Sequence, residues 1–235
     1  MKTVVVMPAF NEEQSVGAVL DEIPREYVDL VIVVDNGSTD RTAEVAAAHG
    51  AVILREDRRG YGAACLKGIG HTGDDTDVIV ILDADHSDYP EDLPDLLAPI
   101  REGRADMVIG SRTSGRAEKG SLPWNQRWGN MLATFLMRVF YGFRFTDMGP
   151  FRAIRRDHLL SYGMSDPTFG WNVEMQAKAL MAGSRIVEVP VRYRARIGES
   201  KITGTVRGTV LAGTKIIGTI FRYYPAWLKS QRRRP

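Results

Sequence analysis

Short, continuous apolar runs, each followed at once by polar residues or a turn, limit the fold of this chain most. Five such runs lie in the first half of the sequence, at 3–7, 30–34, 51–54, 78–82 and 106–110. Runs that are apolar throughout are typical of strands covered on both faces, as in parallel sheets. Helical patterns separate them, so the sequence predicts an α/β fold with a mostly parallel sheet flanked by helices.

Beyond residue 110 the pattern changes. A polar, Gly/Ser-rich stretch at 111–121 predicts a loop, and an alternating stretch at 185–194 predicts a half-exposed strand. Further helices are predicted at 124–143, 171–182 and 203–224. GPFRAI is expected to lead into one more helix.

The length and the single cysteine limit organisation and compartment. A chain of 235 residues can bury one substantial core with at most one appendage. We expect a domain over 1–203 and a C-terminal amphipathic helix with a basic tail over 204–235. Cys65 alone allows no internal disulfide framework, which fits a reducing compartment. The N-terminus enters a predicted strand without a signal-peptide pattern, so we expect a cytoplasmic protein.

Two carboxylates one residue apart, Asp83 and Asp85, follow the fourth apolar run. In an extended segment, alternate side chains point to the same side, so both can face one cavity. Their repulsion would raise one pKa unless a cation binds them. Oxygen ligands suit Mg²⁺ or Mn²⁺. The alternative is an acidic start of the helix predicted at 90–100.

Polar residues also follow the first two runs, at Pro8–Glu12 and Asp35–Asp40. In open α/β sheets, ligands bind outside the carboxyl ends of the strands. Asp35 can accept hydrogen bonds from a ribose or a base, whereas Ser38 to Asp40 are explained by capping of the next helix. Asn11 is likewise predicted to cap a helix with Glu12 in its first turn.

Seven segments, in this order, resemble glycosyltransferases of family 2 with the GT-A fold, and within that family the polyprenyl (dolichyl) phosphate sugar synthases. They are PAFNEE, VVDNGSTDRT, RRGYGAACLKGI, VILDADHSDYPE, IGSR, DMGPFRAI and RIGESK. The resemblance implies a Rossmann-like sheet and a metal-dependent, inverting hexosyltransferase. The donor would be a nucleotide diphosphate sugar of the UDP-glucose or GDP-mannose type, and the acceptor a polyprenyl phosphate.

The resemblance also implies roles for individual residues. Those assigned to the nucleotide sugar are Pro8, Phe10, Glu12, Asp35, Gly37, Gly62, Asp83, Arg152, Ser200 and Lys201. Asp83 and Asp85 would bind the metal, and Arg112 and Arg127 the acceptor phosphate. The catalytic group would be Asp85, Asp147, Arg127 and Arg196. Some relatives have a Gln metal ligand where this chain has Ser87, so the third protein ligand of the metal stays open. Relatives also often have a Ser where this chain has Asn130, whose side-chain amide could replace the hydroxyl donor.

The acceptor decides whether a base is needed. A phosphate is already ionised near pH 7 and needs none, whereas an alcohol needs a carboxylate base. Asp147 is the better candidate for that base and Glu174 the other. Cations of the Arg196 segment would stabilise charge on the leaving diphosphate.

The C-terminal region is strongly basic. From residue 192 onward the sequence has eleven Lys or Arg and one acidic residue, Glu199. Since no run reaches the roughly 20 apolar residues that span a bilayer, we expect an interfacial helix. It would bind an anionic membrane surface, peripherally at the cytoplasmic face, and no nucleic acid. The alternative is a core helix with a disordered basic end.

Other functions stay open. The same fold could glycosylate a soluble small molecule or saccharide, or the chain could be a catalytically silent, membrane-associated binding protein. A sugar-nucleotide pyrophosphorylase would show a Gly-rich signature near the first strand, which PAFNEE lacks. The sequence leaves open the sugar, UDP versus GDP, and the oligomeric state.

Overall fold

The computed structural model describes residues 1–198 and 206–232. The strands are β1 (Thr3–Ala9), β2 (Leu30–Asp35), β3 (Val52–Arg55), β4 (Val78–Ile81), β5 (Met107–Ala117), β6 (Arg152–Arg155) and β7 (Ile186–Tyr193). The helices are α1 (Val16–Asp21), α2 (Thr42–Ala48), α3 (Tyr61–Ile69), α4 (Leu93–Arg101), α5 (Trp124–Tyr141), α6 (Arg156–Ser161), α7 (Trp171–Ala182) and α8 (Val206–Gln231).

The strands form one sheet in the order β3-β2-β1-β4-β6-β5-β7. All neighbours are parallel except those of β6, which runs antiparallel to both β4 and β5. This arrangement confirms the predicted mostly parallel α/β sheet. It brings the carboxyl ends of β1, β2 and β4 to one edge, where parallel sheets bind ligands.

Two apolar layers cover the sheet because successive strand residues point to opposite faces. Val4 and Val6 of β1 pack into one layer, and Val5 and Met7 into the other. Residues of α3, α5, α7 and α8 complete the first layer, while α1, α2 and α4 contribute to the second. Burial on both faces explains why the strand sequences are apolar throughout.

Two predictions after residue 110 were wrong. The stretch at 111–121 is not simply a loop, because β5 continues to Ala117 beside β7 with an irregularity between Ser111 and Arg116. A Cβ on Gly115 would lie 1.9 Å from the Val191 carbonyl oxygen, so glycine permits this close pairing. GPFRAI does precede α6, but its last three residues begin β6, a strand that was not predicted. Both strands form through pairing with distant partners, and local apolar content does not report such pairing.

The predicted cap at Asn11 was also wrong, since α1 begins only at Val16. Asn11 has a positive φ of 54°. Its backbone N–H donates to Ser38 Oγ at 2.9 Å, and its Oδ1 accepts the Thr39 backbone N–H at 2.8 Å. Asn11 therefore joins the loops after β1 and β2, and Glu12 lies outside any helix.

The C-terminal helix α8 packs against α5 and α7. Ile220 is fully buried, and the Tyr141 hydroxyl donates to its carbonyl at 2.6 Å. Phe140 makes edge contacts with Phe221 and Tyr224, with ring centroids 4.9 and 5.1 Å away. The predicted boundary at residue 203 and the last three residues of the basic tail lie outside the described ranges. Within those ranges, no helix combines the length and apolarity needed to cross a bilayer.

Candidate functional site

A cavity of about 400 Å³ lies at the carboxyl ends of β1, β2 and β4. Its lining residues are Pro8, Ala9, Phe10, Glu12, Asn36, Arg59, Gly60, Tyr61, Ala64, Asp83, Ala84, Asp85, Thr168, Phe169 and Arg196. We call it the donor cavity. Six residues predicted for the donor site thus line one cavity: Pro8, Phe10, Glu12, Asp83, Asp85 and Arg196.

Asp35 and Gly37 lie beside the donor cavity without lining it. Asp35 is 7% exposed, and its Oδ1 accepts the Ser38 backbone N–H at 2.8 Å. Gly37 has a φ of 78°, and the Arg59 guanidinium lies 3.5 Å from where its Cβ would be. Both residues shape the loop after β2, and their direct contact with a nucleotide stays a prediction.

Asn36 and Arg59 are site residues that the sequence analysis missed. Asn36 donates to the carbonyls of Glu56 and Arg58 at 2.9 and 2.8 Å and accepts the Gly60 N–H at 2.8 Å. Arg59 lies 4.1 Å from the centre of the Phe10 ring and donates to the Asn36 carbonyl at 3.0 Å. Its position right after the strand-ending Asp35 was the available signal for Asn36.

Two glycines, Gly60 and Gly62, allow the 166–169 segment to pack closely against the start of α3 beside the donor cavity. A Cβ on Gly60 would lie 2.1 Å from the Pro167 carbonyl oxygen, and one on Gly62 2.0 Å from that of Asp166. Either Cβ would force the backbone apart. Gly62, predicted to contact the nucleotide, therefore acts here by admitting the segment that brings Thr168 and Phe169 to the cavity.

The acidic pair is held asymmetrically. Asp83 Oδ1 is buried without a hydrogen-bond partner, and burial together with Asp85 raises the pKa of Asp83 to about 7. Asp85 Oδ1 accepts the backbone N–H and the hydroxyl of Ser87, at 3.0 and 2.5 Å. Its Oδ2 lies 3.1 Å from Arg196 Nη1. Ser87 therefore orients Asp85.

These carboxylates fit a divalent cation whose remaining ligands come from elsewhere. Asp83 offers a buried oxygen without a partner, which is what a cation would satisfy. Across residues 1–198 and 206–232, no three His, Cys, Asp or Glu side chains are grouped to hold a metal alone. Mg²⁺ and related ions commonly take one or two carboxylates plus substrate phosphates and water. Asp83 and Asp85 would supply the carboxylate ligands of such an ion.

A second cavity of about 520 Å³ contains Arg112 and Arg127, the residues predicted for the acceptor phosphate. Its lining residues are Arg112, Thr113, Gly115, Ala117, Leu122, Gln126, Arg127, Asn130, Met131, Thr134, Thr146 and Asp147. We call it the acceptor cavity. Asn130 Oδ1 accepts the Met148 N–H at 2.8 Å, which ties α5 to the 146–148 segment.

Arg112 and Asp147 form a buried ion pair. The two nitrogens of Arg112, Nη2 and Nε, bind the two Asp147 oxygens at 2.7 and 2.8 Å, and Asp147 is fully buried. Burial alone would raise the pKa of Asp147, but the charge and hydrogen bonds of Arg112 hold it below its usual value. A carboxylate so bound is a weak base.

Glu174, the other base candidate, lines neither cavity. It is fully buried and accepts hydrogen bonds from the Asp166 N–H at 2.7 Å and the Tyr223 hydroxyl at 2.6 Å. Burial would raise its pKa, but Lys178, Tyr223 and backbone donors lower it to about 2. Glu174 therefore fastens α8 to the segment beside the donor cavity.

Glu174→Gln is expected to lower the free energy of unfolding at pH 7 by about 1–3 kcal/mol, because charged hydrogen bonds are lost. The pKa of Glu174 is held at about 2, below its ordinary 4.5. Its stabilisation is therefore complete above pH 4.5 and disappears as the pH falls toward 2. Urea unfolding of both proteins at pH 7, 5 and 3 measures this. Glu44→Gln, on the exposed side of α2, is the control, and an equal difference at all three pH values would contradict the assignment.

Arg152 lies beneath the site. It is fully buried and lines neither cavity, and its guanidinium donates to the carbonyls of Gly149 and Asn172. Burial lowers its pKa to about 10. Contact with a donor diphosphate, as predicted, would require these partners to move.

Arg196 lies in the donor cavity between two carboxylates. Its Nη2 lies 2.9 Å from Glu12 Oε1, and its Nη1 is the group that binds Asp85. Ser200 and Lys201, predicted to bind the diphosphate, lie outside the described residues.

Comparison with known proteins gives a consistent result. The family model described as Glycosyl transferase family 2 matches residues 4–163. An uncharacterized glycosyltransferase of Mycobacterium tuberculosis is 40% identical over 88% of this chain and 93% of its own length. A dolichyl-phosphate hexose transferase of Haloferax volcanii is 36% identical, covering 88% of this chain and 89% of its own. An undecaprenyl-phosphate mannosyltransferase of Micrococcus luteus is 30% identical, covering 95% and 96%.

Among solved structures, glucosyl-3-phosphoglycerate synthase of Mycobacterium tuberculosis in complex with Mn²⁺, uridine diphosphate and glucosyl-3-phosphoglycerate is similar to this chain. The TM-score is 0.77 at 22% identity, covering 95% of this chain and 80% of that one. The same enzyme was also crystallised with Mg²⁺ and uridine diphosphate. At this identity the likeness concerns the fold, and it confirms the predicted GT-A fold.

Proposed function

The chain belongs to glycosyltransferase family 2, and from this premise we propose that it transfers a hexose from a nucleotide diphosphate sugar to a polyprenyl phosphate. Relatives named for dolichyl-phosphate and undecaprenyl-phosphate acceptors support the proposal. The observation that carries it is the acceptor cavity, where cationic side chains lie beside an exposed apolar face of α5.

That apolar face is large. Six side chains of α5 are between 45% and 76% exposed: Trp124, Trp128, Met131, Leu132, Phe135 and Val139. The same helix contributes Arg127 and Asn130 to the acceptor cavity. A phosphate bound by Arg112 and Arg127 and joined to a long hydrocarbon chain fits both features. A soluble acceptor such as phosphoglyceric acid would use the cations but leave the apolar face without a partner.

The helix α8, which packs against α5, also exposes apolar side chains. Val210, Leu211, Phe221 and Leu228 are between 39% and 57% exposed, and the helix carries Lys215, Arg222 and Lys229. Exposed tryptophans with nearby cations are typical of the membrane interface. We therefore propose that α5 and α8 rest on an anionic membrane surface at the cytoplasmic face, where each basic residue contributes about 1 kcal/mol.

The donor cavity would hold the nucleotide sugar. Phe10 and Arg59, which stack on each other, form the cavity wall where we place the base, and Asp83 with Asp85 would bind the cation. That Mg²⁺ or Mn²⁺ ion would neutralise charge on the diphosphate as it leaves.

The chemistry needs no base from the chain. An ionised phosphate oxygen of the acceptor attacks the anomeric carbon on the face opposite the diphosphate. The new C–O bond forms while the bond to the diphosphate breaks, and the electron pair of the broken bond leaves with the diphosphate. The configuration at the anomeric carbon is thereby inverted. Arg112 and Arg127 would hold the acceptor phosphate close to the donor diphosphate by offsetting the repulsion between the two anions. The ion-paired states of Asp147 and Glu174 agree with a reaction that takes no proton from an alcohol.

The test is transfer by the purified chain from labelled UDP-glucose or GDP-mannose, with Mn²⁺, to a short-chain polyprenyl phosphate, a long-chain one, or phosphoglyceric acid. We expect label in the lipid products with one donor. Phe135→Ser, at an exposed position, is expected to weaken use of the long-chain acceptor on vesicles about tenfold and to leave the short-chain one unchanged. Product with the soluble acceptor alone would overturn the lipid assignment.

A further inference from the structure

Arg196 occupies the acidic side of the donor cavity. Its guanidinium bridges Glu12 Oε1 at 2.9 Å and Asp85 Oδ2 at 3.1 Å. The next residue, Ile197, donates its backbone N–H to the Asp85 carbonyl at 3.0 Å. The side chains of Glu12 and Asp85 are only 9% and 11% exposed, so solvent screens these contacts weakly. Both the side chain of Arg196 and the backbone of the next residue are therefore bound to this part of the cavity.

The charges of the cavity explain this position. Glu12, Asp83 and Asp85 all line it, and three carboxylates close together repel one another. The other arginine in the lining, Arg59, stacks on Phe10 and donates to a backbone carbonyl. Arg196 is the cation that the structure places on two of these carboxylates. It thus offsets, without any ligand, the repulsion that a bound metal ion would offset.

The hydrogen bonds of Asp85 leave one oxygen for which the Arg196 guanidinium and a metal ion would compete. Its Oδ1 accepts both the N–H and the hydroxyl of Ser87. Its Oδ2 is the oxygen facing Arg196. A Mg²⁺ ion would approach a carboxylate oxygen to about 2.0–2.1 Å, and two cations on one oxygen repel each other. Coordination through Oδ2 therefore requires Arg196 to move away from Asp85.

We propose that Arg196 is a positioning residue that neutralises Asp85 before the donor binds and competes with the divalent cation for this carboxylate. A nucleotide diphosphate offers the displaced guanidinium a new anion. The cation and the nucleotide then bind cooperatively, each strengthening the other by the same factor. This inference rests on the proposed function, because it takes the donor to be a nucleotide diphosphate sugar.

The test measures Mn²⁺ binding to the full chain by calorimetry and by the electron paramagnetic resonance of free Mn²⁺, with and without UDP or GDP. For the wild type we expect weak binding of Mn²⁺ alone and at least about tenfold tighter binding with the matching nucleotide, which is about 1.4 kcal/mol. Arg196→Gln is expected to bind Mn²⁺ alone about tenfold more tightly than the wild type, with a smaller gain from nucleotide.

Two further variants separate the cause. Arg196→Lys keeps the charge and is expected to bind Mn²⁺ as weakly as the wild type. Arg192→Gln removes the same charge from a side chain that pairs with Glu91 and Asp92, and it is expected to leave Mn²⁺ affinity unchanged. Circular dichroism checks that each variant is folded.

The outcomes are distinct. Unchanged or weaker Mn²⁺ binding in Arg196→Gln, or equal tightening in the Gln and Lys variants, overturns the inference. If the wild type still binds Mn²⁺ with nucleotide in those cases, the proposed function survives. If the wild type binds no Mn²⁺ even with UDP or GDP, the inference and the metal site of the proposed function both fail.

Discussion

Asp85→Asn is expected to lower kcat/KM for hexose transfer at least about 10³-fold while the chain stays folded. The amide keeps the shape and can still bond to Ser87, but it removes the charge that binds a cation. Without that cation, the charge developing on the leaving diphosphate is poorly stabilised. Initial rates with labelled donor across a range of Mn²⁺ concentrations measure the loss.

Asp95→Asn is the matched control for Asp85→Asn, because it makes the same chemical change on the exposed side of α4. It should leave the rate unchanged. Urea unfolding of both variants shows whether a lost rate reflects a lost fold. Full turnover in Asp85→Asn would contradict a metal-dependent enzyme, whereas binding of nucleotide without turnover in the wild type would favour a silent binding protein.

Arg112→Gln is expected to lower the free energy of unfolding by about 3–5 kcal/mol, because it leaves the buried Asp147 carboxylate without its charged partner. Asp147 is fully buried and Arg112 binds both its oxygens. The double variant Arg112→Gln/Asp147→Asn removes both charges and should recover most of the stability. Urea unfolding measures the three proteins.

The rate of hexose transfer should not recover in the double variant, although its stability should. Both Arg112→Gln and the double variant are expected to use the acceptor poorly, since both lack the Arg112 charge and keep Arg127 without it. Arg155→Gln, which breaks an exposed pair with Asp157, is the control and should cost less than about 1 kcal/mol. If the double variant regained transfer together with stability, Arg112 would not be an acceptor-binding residue.

The donor cavity shows how far local sequence reaches. Apolar runs identify strands whose carboxyl ends meet at one sheet edge, so Phe10 and the Asp83–Asp85 pair were predicted to lie together, and they do line one cavity. Asn36 and Arg59 could not, because their roles depend on the 56–60 loop folding back under the end of β2. The position of Asn36 right after Asp35 marks it as a strand-end residue, but no sequence pattern shows that its amide binds this distant loop.

The electrostatic partners were the part that the sequence could not supply. Asp147 looked like a possible base until its bidentate pair with Arg112, which lies 35 residues earlier, became visible. Likewise, the acidic pair showed no nearby cation in the sequence, although Arg196 is bound to Asp85 in the structure. Such pairings follow from the path of the chain, and spacing along the sequence does not encode them.

The sequence by itself determined the parallel α/β core and the family, and it predicted a site at the strand ends, because hydrophobic periodicity and motifs can be read along the chain. Only the tertiary structure decided the antiparallel β6, the exposed apolar face of α5 and the identity of each charge's partner. These depend on which distant segments meet, and the free energy of a buried charge is set by the atoms that surround it in the folded chain.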